Sequence, residues 1–478
     1  MINVLFIAAE AAPFAKTGGL ADVVASLPKF FNKKNVQARV ILPQYGFIPA
    51  EYTEKMEHVH EMTVPVGWRN QYCGIKRLDY DGAIFYFLDN EYYFKRPEMY
   101  GCFDDGERFA FFCRAVLEAL PHLDFTPQIL HCHDWHTGMV SVLLAAQYRL
   151  QPFYQDIRTV FTIHNMAYQG IFNKEILTDL LGLGWEYFTD EGVKFNGQVS
   201  FLKGGLAFAD RITTVSKAYA EEVQSPEFGE GLDGFLRAKR IVVSGILNGI
   251  DPKDYNPGSD PMIFVNYNGR CLKRKQENKT RLQEALNLPA SDDLPLVGIV
   301  SSLTTVKGLD LLIGALDGLL ALDVQLAVLG TGDERYQNLL ARAAAQYPER
   351  LAVRIMDDNS LAHKIYAGAD IMLMPSYFEP GGTDPINAMR YGTIPIVRST
   401  GSMKDVVRSY RKDKGISNGF SFSGDNDVDM LSVVQQAVDL YRNKKVWSQI
   451  MRNAMKSNYS WKEAGAEYQK LYRQLLRK

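Results

Sequence analysis

The sequence predicts an α/β protein with two doubly wound, Rossmann-like domains. Short apolar runs rich in β-branched residues alternate with helical patterns along almost the whole chain, and this alternation starts a second time near Leu294. Strands that read as continuous apolar runs are buried on both faces, which is typical of parallel strands covered by helices. Residues 251–270, between the two blocks, are rich in Pro, Asn, Gly and Asp, the composition of a linker. We therefore expect a first domain at 1–250 and a second domain at 271–478.

The first block contains apolar runs that predict strands and amphipathic patterns that predict helices. The predicted strands are 3–9, 38–42, 129–132, 159–163 and 211–215, and the predicted helices include 21–33, 107–120 and 139–148. Residues 62–90 differ, because two β-rich runs are joined there by Asp81-Gly82, a strong hairpin signal. We expect this segment to form an antiparallel pair attached to the parallel sheet.

The second block repeats the pattern. Its predicted strands are 295–303, 325–329, 352–356, 371–374 and 394–397, and apolar residues at helical spacing predict one helix over 309–320. The amphipathic tail at 461–478 predicts a terminal helix, which could pack on either domain and which we assign to the second. Open α/β sheets bind ligands at the carboxyl ends of their strands, so two such domains predict a site in the cleft between them.

Composition excludes several classes of protein. The 53 Lys and Arg nearly balance the 55 Asp and Glu, whereas a general nucleic-acid or membrane-surface binder would usually have a basic excess. The five cysteines form no CxxC pair, which argues against a disulfide framework or a zinc ribbon. The N-terminus reads as a strand rather than a signal peptide, and no segment offers the run of about 20 apolar residues of a membrane span. We expect a cytoplasmic protein with no nucleic-acid or membrane partner.

The first motif, Lys16-Thr17-Gly18-Gly19, lies between the first predicted strand and the first predicted helix. Two glycines allow a ligand to approach the backbone closely, and the helix N-terminus offers N–H groups to an anion. The motif is neither a dinucleotide fingerprint nor a P-loop. An anion site and an ordinary turn both remain open from the position alone.

The second motif, HCHDWH at residues 131–136, follows an apolar strand. A metal site is one interpretation, but His131 and His133 would share one strand face, while Asp134 and His136 would lie in the next loop. No partner cluster with usual metal-ligand spacing occurs nearby, so we expect no metal. A polar pocket for sugar hydroxyls fits better, and capping of the loop by Asp134 is the structural alternative.

The third motif, Thr162-Ile163-His164-Asn165, ends another predicted strand. His164 could donate a hydrogen bond to a substrate hydroxyl or take part in proton transfer. A structural role for this histidine is the alternative.

Two further motifs lie in the second domain. Lys307 opens a helix at a strand end, where a lysine is well placed for a diphosphate, although a solvated helix-start lysine is equally open. In PSYFEPGGT, residues 375–383, the glycines and the following helix start could cradle an anion through Gly382 and Thr383. Glu379 would suit the attached sugar better than the phosphate, and capping of the next helix is its alternative role.

Taken together, these motifs resemble the bacterial glycogen synthase and plant starch synthase family of glycosyltransferases. The resemblance runs nearly end to end. It is carried by KTGGLADV, HCHDWHTG, FTIHNMAYQG, FNGQVSFLKGGL, ITTVSKAYAEE, GILNGID, KQENK, LVGIVSSLTTVKGLD, PSYFEPGG and RYGTIPIVRSTG. Many matches in the right order are far more specific than any one of them.

The resemblance implies a GT-B fold with a glucan-side first domain and a nucleotide-sugar-binding second domain. Members transfer glucose from ADP-glucose, or less often UDP-glucose, to the non-reducing end of an α-1,4-glucan, with retention of configuration and no cofactor. The implied catalytic residues are Glu379, Lys307, His164 and Asp134, and the implied substrate-binding residues are Lys16, Gly18, Gly19, Asn248, Gly382 and Thr383. A homo-oligomer or a partner synthase remains open.

The sequence departs from the family's pattern in the donor-phosphate half. Ser302 and Tyr377 stand where the family usually has arginines, Gly381 replaces a cysteine, and Asp384 places a carboxylate at a phosphate-facing helix start. An aspartate is favourable at a helix N-terminus, so its carboxylate could take the favourable interaction with the helix dipole that a phosphate would otherwise make. The alternative function is therefore a non-catalytic or weakly active homologue that binds glucan or regulates a partner synthase.

Overall fold

The computed structural model describes residues 1–31, 35–251, 253, 255–412 and 415–477. Residue contacts divide the chain into two compact units, unit 1 with Met1–Gly249 and Trp461–Lys478, and unit 2 with Ile250–Ser460. The end of the helix predicted at 21–33 lies outside the described residues. Within the described part of the chain, no helix has the length and apolarity of a membrane span.

Unit 1 is built on a sheet of nine strands. The strands of this unit are β1 (Ile2–Ile7), β2 (Val36–Pro43), β3 (Glu57–Val66), β4 (Arg69–Tyr80), β5 (Ala83–Asp89), β6 (Ile129–His133), β7 (Arg158–Ile163), β8 (Ile171–Phe172), β9 (Lys194–Phe195), β10 (Gln198–Ser200), β11 (Arg211–Thr214) and β12 (Val243–Gly245). The large sheet has the order β12-β11-β7-β6-β1-β2-β5-β4-β3, and β8, β10 and β9 form a small antiparallel sheet. Seven neighbouring strands are parallel, from β12 to β5, as the apolar runs predict.

The predicted hairpin is present. Strands β4 and β5 pair antiparallel around Asp81 and Gly82, whose φ angles of 47° and 81° are both positive, as a two-residue hairpin turn of type I′ requires. The structure adds β3, which pairs antiparallel with β4 at the sheet edge. Only Val64 and Val66 of this strand are buried, and charged and polar residues interrupt the apolar run on which the strand predictions depend.

The helices of unit 1 cover this sheet. They are α1 (Gly19–Phe31), α2 (Ala50–Thr53), α3 (Glu91–Phe94), α4 (Asp105–Ala119), α5 (Gly138–Leu143), α6 (Ile176–Asp179), α7 (Phe201–Phe208), α8 (Lys217–Glu222) and α9 (Asp233–Ala238). In α1, Leu20, Val24, Leu27 and Phe31 recur at helical spacing and are all buried against the sheet. The helix predicted at 139–148 is divided, because α5 continues as a π-helical turn over Leu144–Tyr148.

Unit 2 is a six-stranded parallel sheet with helices. Its elements are β13 (Leu296–Val300), β14 (Gln325–Leu329), β15 (Leu351–Arg354), β16 (Ile371–Met374), β17 (Ile394–Arg398), β18 (Phe420–Phe422), α10 (Lys273–Leu286), α11 (Leu309–Gly314), α12 (Leu316–Ala321), α13 (Glu334–Gln346), α14 (Asn359–Gly368), α15 (Asp384–Arg390), α16 (Gly401–Val406), α17 (Asp427–Arg442) and α18 (Lys444–Lys456). The strand order is β15-β14-β13-β16-β17-β18. The single helix predicted over 309–320 is in fact two, α11 and α12, which meet at Ala315.

The predicted linker belongs structurally to unit 2. Its described residues carry no helix or strand, yet they are attached by hydrogen bonds. Asp260 is buried and accepts a hydrogen bond from the hydroxyl of Tyr391, and its Oδ2 lies 2.7 Å from Nδ1 of His363. Tyr267 donates its hydroxyl to the carbonyl of Tyr391 at 2.7 Å.

The terminal helix α19 (Trp461–Leu476) packs on unit 1, not on the second domain to which its position in the sequence assigned it. The ring of Tyr472 lies 5.7 Å from that of Phe31 in α1, and its hydroxyl lies 2.7 Å from Nδ1 of His131 in β6. The amphipathic pattern shows that one face of α19 is buried but cannot show against which surface.

Candidate active site

The predicted site residues of unit 1 lie in loops that leave the carboxyl ends of its parallel strands. Lys16 follows β1, Asp134 follows β6, His164 follows β7, and Asn248 follows β12. Since β7, β6 and β1 are consecutive neighbours in the sheet, their loops share one edge. The structure therefore places Lys16, Asp134 and His164 at the same edge of unit 1.

The loop of residues 16–19, here the 16–19 loop, is open to solvent. Lys16 forms an ion pair with Asp22 at 2.8 Å, and both side chains are about half exposed, at 52% and 54%. A Cβ added to Gly18 or Gly19 would meet no atom within 4 Å, so a ligand could lie against this backbone. The residue that holds the loop is Glu10, a buried carboxylate that accepts hydrogen bonds from Thr17 and Gly18.

Asp134 joins the loops after β6 and β7. Its φ is 57°, it is 8% exposed, and its Oδ1 accepts the backbone N–H of His164 at 2.7 Å. Burial raises the pKa of Asp134 to about 7, although the N–H groups of His164 and Asn165 lower it. Asp134 makes no capping hydrogen bond to the turn that follows it and instead bonds the backbone of the next loop, and a catalytic role for Asp134 stays a prediction.

The histidines of unit 1 form a stacked, neutral cluster. His131 and His133 share one face of β6, with ring centroids 4.3 Å apart, and His133 Nδ1 lies 2.9 Å from His164 Nε2. Burial lowers the pKa of His131 and of His164 to about 3, and the pKa of His133 well below its ordinary value. A neutral His164 favours hydrogen bonding to a hydroxyl over transfer of a proton at neutral pH. Among the described residues, no three His, Cys, Asp or Glu side chains are grouped as metal ligands.

A cavity of about 590 Å³ adjoins these loops in unit 1. Aromatic rings of Trp135, Tyr168 and Phe172 line it, together with the carboxylate residues Asp105 and Glu230. Trp135 directly follows Asp134, so the cavity and the predicted residues share a loop. Flat apolar faces beside hydrogen-bond acceptors suit a sugar ring better than a phosphate.

Asn248 lies outside that cavity's lining. It is 6% exposed, and its backbone N–H donates to the carbonyl of Val215 at 3.2 Å. Its side-chain oxygen is buried without a hydrogen-bond partner among the described residues. Since a buried polar atom without a partner is costly, a ligand hydroxyl at this oxygen would relieve that cost.

In unit 2 the structure brings Lys307 and Glu379 together. Lys307 follows β13, Glu379 follows β16, and the ammonium of Lys307 donates to Oε2 of Glu379 at 2.5 Å. Burial lowers the pKa of Lys307, but the carboxylates of Glu379 and Asp384 raise it more. Burial raises the pKa of Glu379, Lys307 lowers it, and Asp384 raises it further. One cation therefore lies among two carboxylates.

Two glycines make this arrangement possible. Gly308 has a φ of 76°, and a Cβ there would lie 2.1 Å from the carbonyl oxygen of Pro375. A Cβ on Gly382 would lie 2.6 Å from the carboxyl carbon of Glu379. A larger residue at Gly308 would separate the two loops that carry Lys307 and Glu379, and a larger residue at Gly382 would displace the side chain of Glu379.

The residues that depart from the family's pattern lie in or directly after the loops that carry this pair. Ser302 is exposed and has an uncharged side chain at the start of the Lys307 loop. Tyr377 lies 5.3 Å from the guanidinium of Arg398, which bonds the carbonyl of Tyr377 at 3.0 Å. Asp384 opens α15 and accepts a hydrogen bond from the hydroxyl of Tyr366 at 3.2 Å. Thr383 precedes it, and its side chain makes no capping hydrogen bond to α15.

Sequence reasoning missed Glu10 and Tyr100 as residues of this site. The hydroxyl of Tyr100 donates to Oε1 of Glu10 at 2.7 Å. A carboxylate within the apolar N-terminal run was the available signal for Glu10, since a buried charge needs partners. Tyr100, which is 90 positions away, had no such signal.

Comparison with family models covers most of the chain. Residues 3–238 match the model described as starch synthase catalytic domain. Residues 282–454 match the model described as glycosyl transferases group 1.

Curated proteins and solved structures give the same picture. The glycogen synthase of Desulforamulus reducens is 53% identical over 475 residues, which cover 99% of both chains. That of Geobacillus stearothermophilus is 52% identical over 477 residues, covering 100% of this chain and 98% of the relative. The catalytic domain of starch synthase IV from Arabidopsis thaliana, bound to ADP and acarbose, has a TM-score of 0.90 at 31% identity with complete coverage of both chains. A sucrose-phosphate synthase from Thermosynechococcus elongatus, with a TM-score of 0.62, full coverage and 17% identity, shares the fold alone.

Proposed function

The chain belongs to the glycogen synthase and starch synthase family of GT-B hexosyltransferases, and we propose that it lengthens an α-1,4-glucan with glucose from ADP-glucose. The observation that carries this proposal is the contact of Lys307 with Glu379 at the carboxyl ends of β13 and β16. A cation that would hold the diphosphate and a carboxylate that would contact the glucosyl unit lie side by side there. The ADP bound to starch synthase IV of A. thaliana supports adenine as the base.

The proposed chemistry uses this pair at the bond that breaks. When the anomeric carbon separates from the diphosphate, the phosphate oxygen gains negative charge and the sugar ring gains positive charge. Lys307 would stabilise the leaving diphosphate, and Glu379 would stabilise the ring. Charged groups that are already positioned where charge develops in the transition state usually make the largest single contribution to lowering the barrier.

We place the acceptor glucan at unit 1. The cavity lined by Trp135 and Tyr168 supplies faces on which sugar rings can stack, and neutral His164 supplies a hydrogen-bonding group for a hydroxyl. Asp134 bonds the loop that carries His164, which supports this location. Asn248 lies in unit 1 outside the cavity, and its side-chain oxygen, buried without a partner among the described residues, could accept a further glucan hydroxyl. Acarbose, the second molecule bound to starch synthase IV, supports a sugar chain as the ligand.

The test is incorporation of radiolabelled glucose into glycogen from ADP-glucose, with UDP-glucose assayed in parallel. In Glu379→Gln we expect kcat to fall about 10²–10³-fold, because a preorganised charge at the reacting centre is lost. Glu349→Gln, an exposed carboxylate elsewhere in unit 2, is the control and should keep full activity. Robust turnover by Glu379→Gln would contradict the proposal.

A second candidate function is a non-catalytic or weakly active homologue that binds glucan or regulates a partner synthase. The exposed Ser302 and the carboxylate of Asp384 favour it, because both reduce the positive charge available to a diphosphate. The double variant Ser302→Arg, Asp384→Thr separates the two. Turnover in the variant but not in the natural chain would support the second candidate.

We further propose that the protein works in the cytoplasm without nucleic-acid or membrane partners. Free thiols at Cys73, Cys102, Cys113, Cys132 and Cys271 support a reducing compartment. The net charge of −2 supports an uncharged partner such as glucan.

A further inference from the structure

A buried carboxylate lies behind the 16–19 loop. Glu10 follows β1 and is 4% exposed. Its Oε2 accepts the backbone N–H groups of Thr17 at 2.6 Å and Gly18 at 3.2 Å. Its Oε1 accepts the hydroxyls of Thr17 and Tyr100, both at 2.7 Å. Four donors therefore satisfy one carboxylate, and three of them belong to the loop.

The ends of the loop are held by the backbone, since Ala15 exchanges two hydrogen bonds with Ala11 and α1 begins at Gly19. Between these ends, the other described contact is weak. The ion pair between Lys16 and Asp22 lies on the surface, where such pairs contribute little to stability. Gly18, which precedes α1, has open space where a side chain would be, so no side-chain packing restrains it. The conformation of the loop therefore depends chiefly on Glu10.

We infer that Glu10 is a positioning residue that holds the 16–19 loop in the shape that binds the nucleotide sugar. The inference rests on the proposed function and on the resemblance, which implies Lys16, Gly18 and Gly19 as substrate-binding residues; we take the substrate they contact to be the nucleotide sugar. Glu10 occupies the N–H groups of Thr17 and Gly18 from the buried side. The ammonium of Lys16 and the start of α1 at Gly19 then remain on the open side. Glu10 acts through the loop and does not itself contact substrate.

Glu10→Gln tests this at nearly constant side-chain volume. A carboxamide whose nitrogen faces the N–H groups of Thr17 and Gly18 loses both of those hydrogen bonds. In the opposite orientation the hydroxyls of Thr17 and Tyr100 must accept rather than donate, and in both orientations the remaining bonds lose the charge of the carboxylate that strengthens them. We expect the KM for ADP-glucose to rise about tenfold, with kcat within about twofold and the KM for glycogen unchanged, as for loss of uniform donor binding. Thr17→Val should act in the same direction, whereas Thr17→Ser keeps the hydroxyl and should remain near wild type.

Coupling between the two positions distinguishes positioning from a loss of folding. The double variant Glu10→Gln, Thr17→Val should raise the donor KM by less than the product of the single effects, because Glu10→Gln weakens and Thr17→Val removes the same hydrogen bond. A fall in melting temperature with equal losses toward donor and glycogen would make Glu10 an ordinary residue of the fold and would overturn the inference.

Two measurements remain decisive even if the natural chain transfers no glucose. Hydrogen exchange should show the N–H groups of Thr17 and Gly18 protected in the natural chain and exchanging faster in Glu10→Gln. Calorimetry should show about tenfold weaker binding of ADP by Glu10→Gln. Absence of turnover with both changes present would remove the proposed function and leave the inference standing. Unchanged exchange and unchanged ADP affinity would overturn the inference alone.

Discussion

At the scale of single residues, the donor-side cluster is a balance of charges. Lys307 bonds Glu379, and Asp384 raises the pKa of both groups. A diphosphate approaching Lys307 must therefore overcome the repulsion of two carboxylates. In this chain Ser302 adds no charge that would offset them.

Asp384→Asn should improve donor binding. The amide keeps the size and the acceptor oxygen that Tyr366 uses, while one negative charge is removed. With an effective dielectric constant of about 20, we expect the KM for ADP-glucose to fall about tenfold. Because Asp384 raises the pKa of Glu379, the acid limb of the pH–rate profile should also move to lower pH. Steady-state kinetics across pH measure both effects.

The matched control for this experiment is Asp317→Asn, an exposed carboxylate in α12 of the same unit. It should change neither the donor KM nor the pH profile. If Asp384→Asn behaves like this control, the carboxylate of Asp384 does not affect the binding of the donor.

At the scale of elements, α19 completes unit 1 from the far end of the chain. Its Tyr472 and the Thr162 hydroxyl occupy the two ring nitrogens of His131, at 2.7 Å and 2.6 Å. All three side chains are buried, so the helix supplies a hydrogen bond that β6 needs. The strand that carries the HCHDWH motif is thus supported by residues 341 positions away.

Tyr472→Phe removes this support without removing the ring. The buried Nδ1 of His131 would lose its partner, and an unsatisfied buried group costs about 1–3 kcal/mol. We expect the free energy of unfolding, measured by urea denaturation, to fall by that amount. Tyr92→Phe, with 59% of its side chain exposed, should cost almost nothing. Equal stability of the two variants would show that α19 contributes through packing alone.

At the scale of the whole molecule, buried histidines link stability to pH. Burial lowers the pKa of His131 and His164 to about 3, and the pKa values of His133 and His136 well below the ordinary value. The pKa of Asp134 is raised to about 7, which acts in the opposite direction, but this is one carboxyl group against four histidines. Below about pH 6.5 these histidines become protonated in the unfolded chain but stay neutral in the folded protein. The free energy of unfolding should therefore fall as the pH is lowered.

Chemical denaturation at about pH 7.5 and about pH 5 measures how the free energy of unfolding depends on pH. Each histidine that ionises only on unfolding should contribute roughly 1.4 kcal/mol per pH unit below about 6.5. His131→Asn should reduce the dependence, whereas His58→Asn, which changes an exposed histidine, should not. A stability that is constant or rises toward pH 5 would show that the cluster accepts protons while folded.

Local chemistry was enough to predict much of the fold. Parallel strands buried on both faces are apolar along their length, so β1, β7, β14 and β16 could be recognised from their residues alone. The turn at Asp81-Gly82 was equally clear, because the turn needs a positive φ at two successive residues and few residue types adopt one readily. The edge strand β3, the break between α11 and α12 and the partner of α19 carry no comparable local signal.

The sequence by itself determined the two α/β blocks, the strand-end loops and the residue types that those loops carry. Tertiary structure decided which residues meet: Lys307 with Glu379, Glu10 with Tyr100, and His131 with Tyr472. Turns and strands depend on neighbouring residues, so their signals are local. Contacts between loops depend on the order of strands in the sheet, which is set by burial of the whole apolar surface and by no single segment.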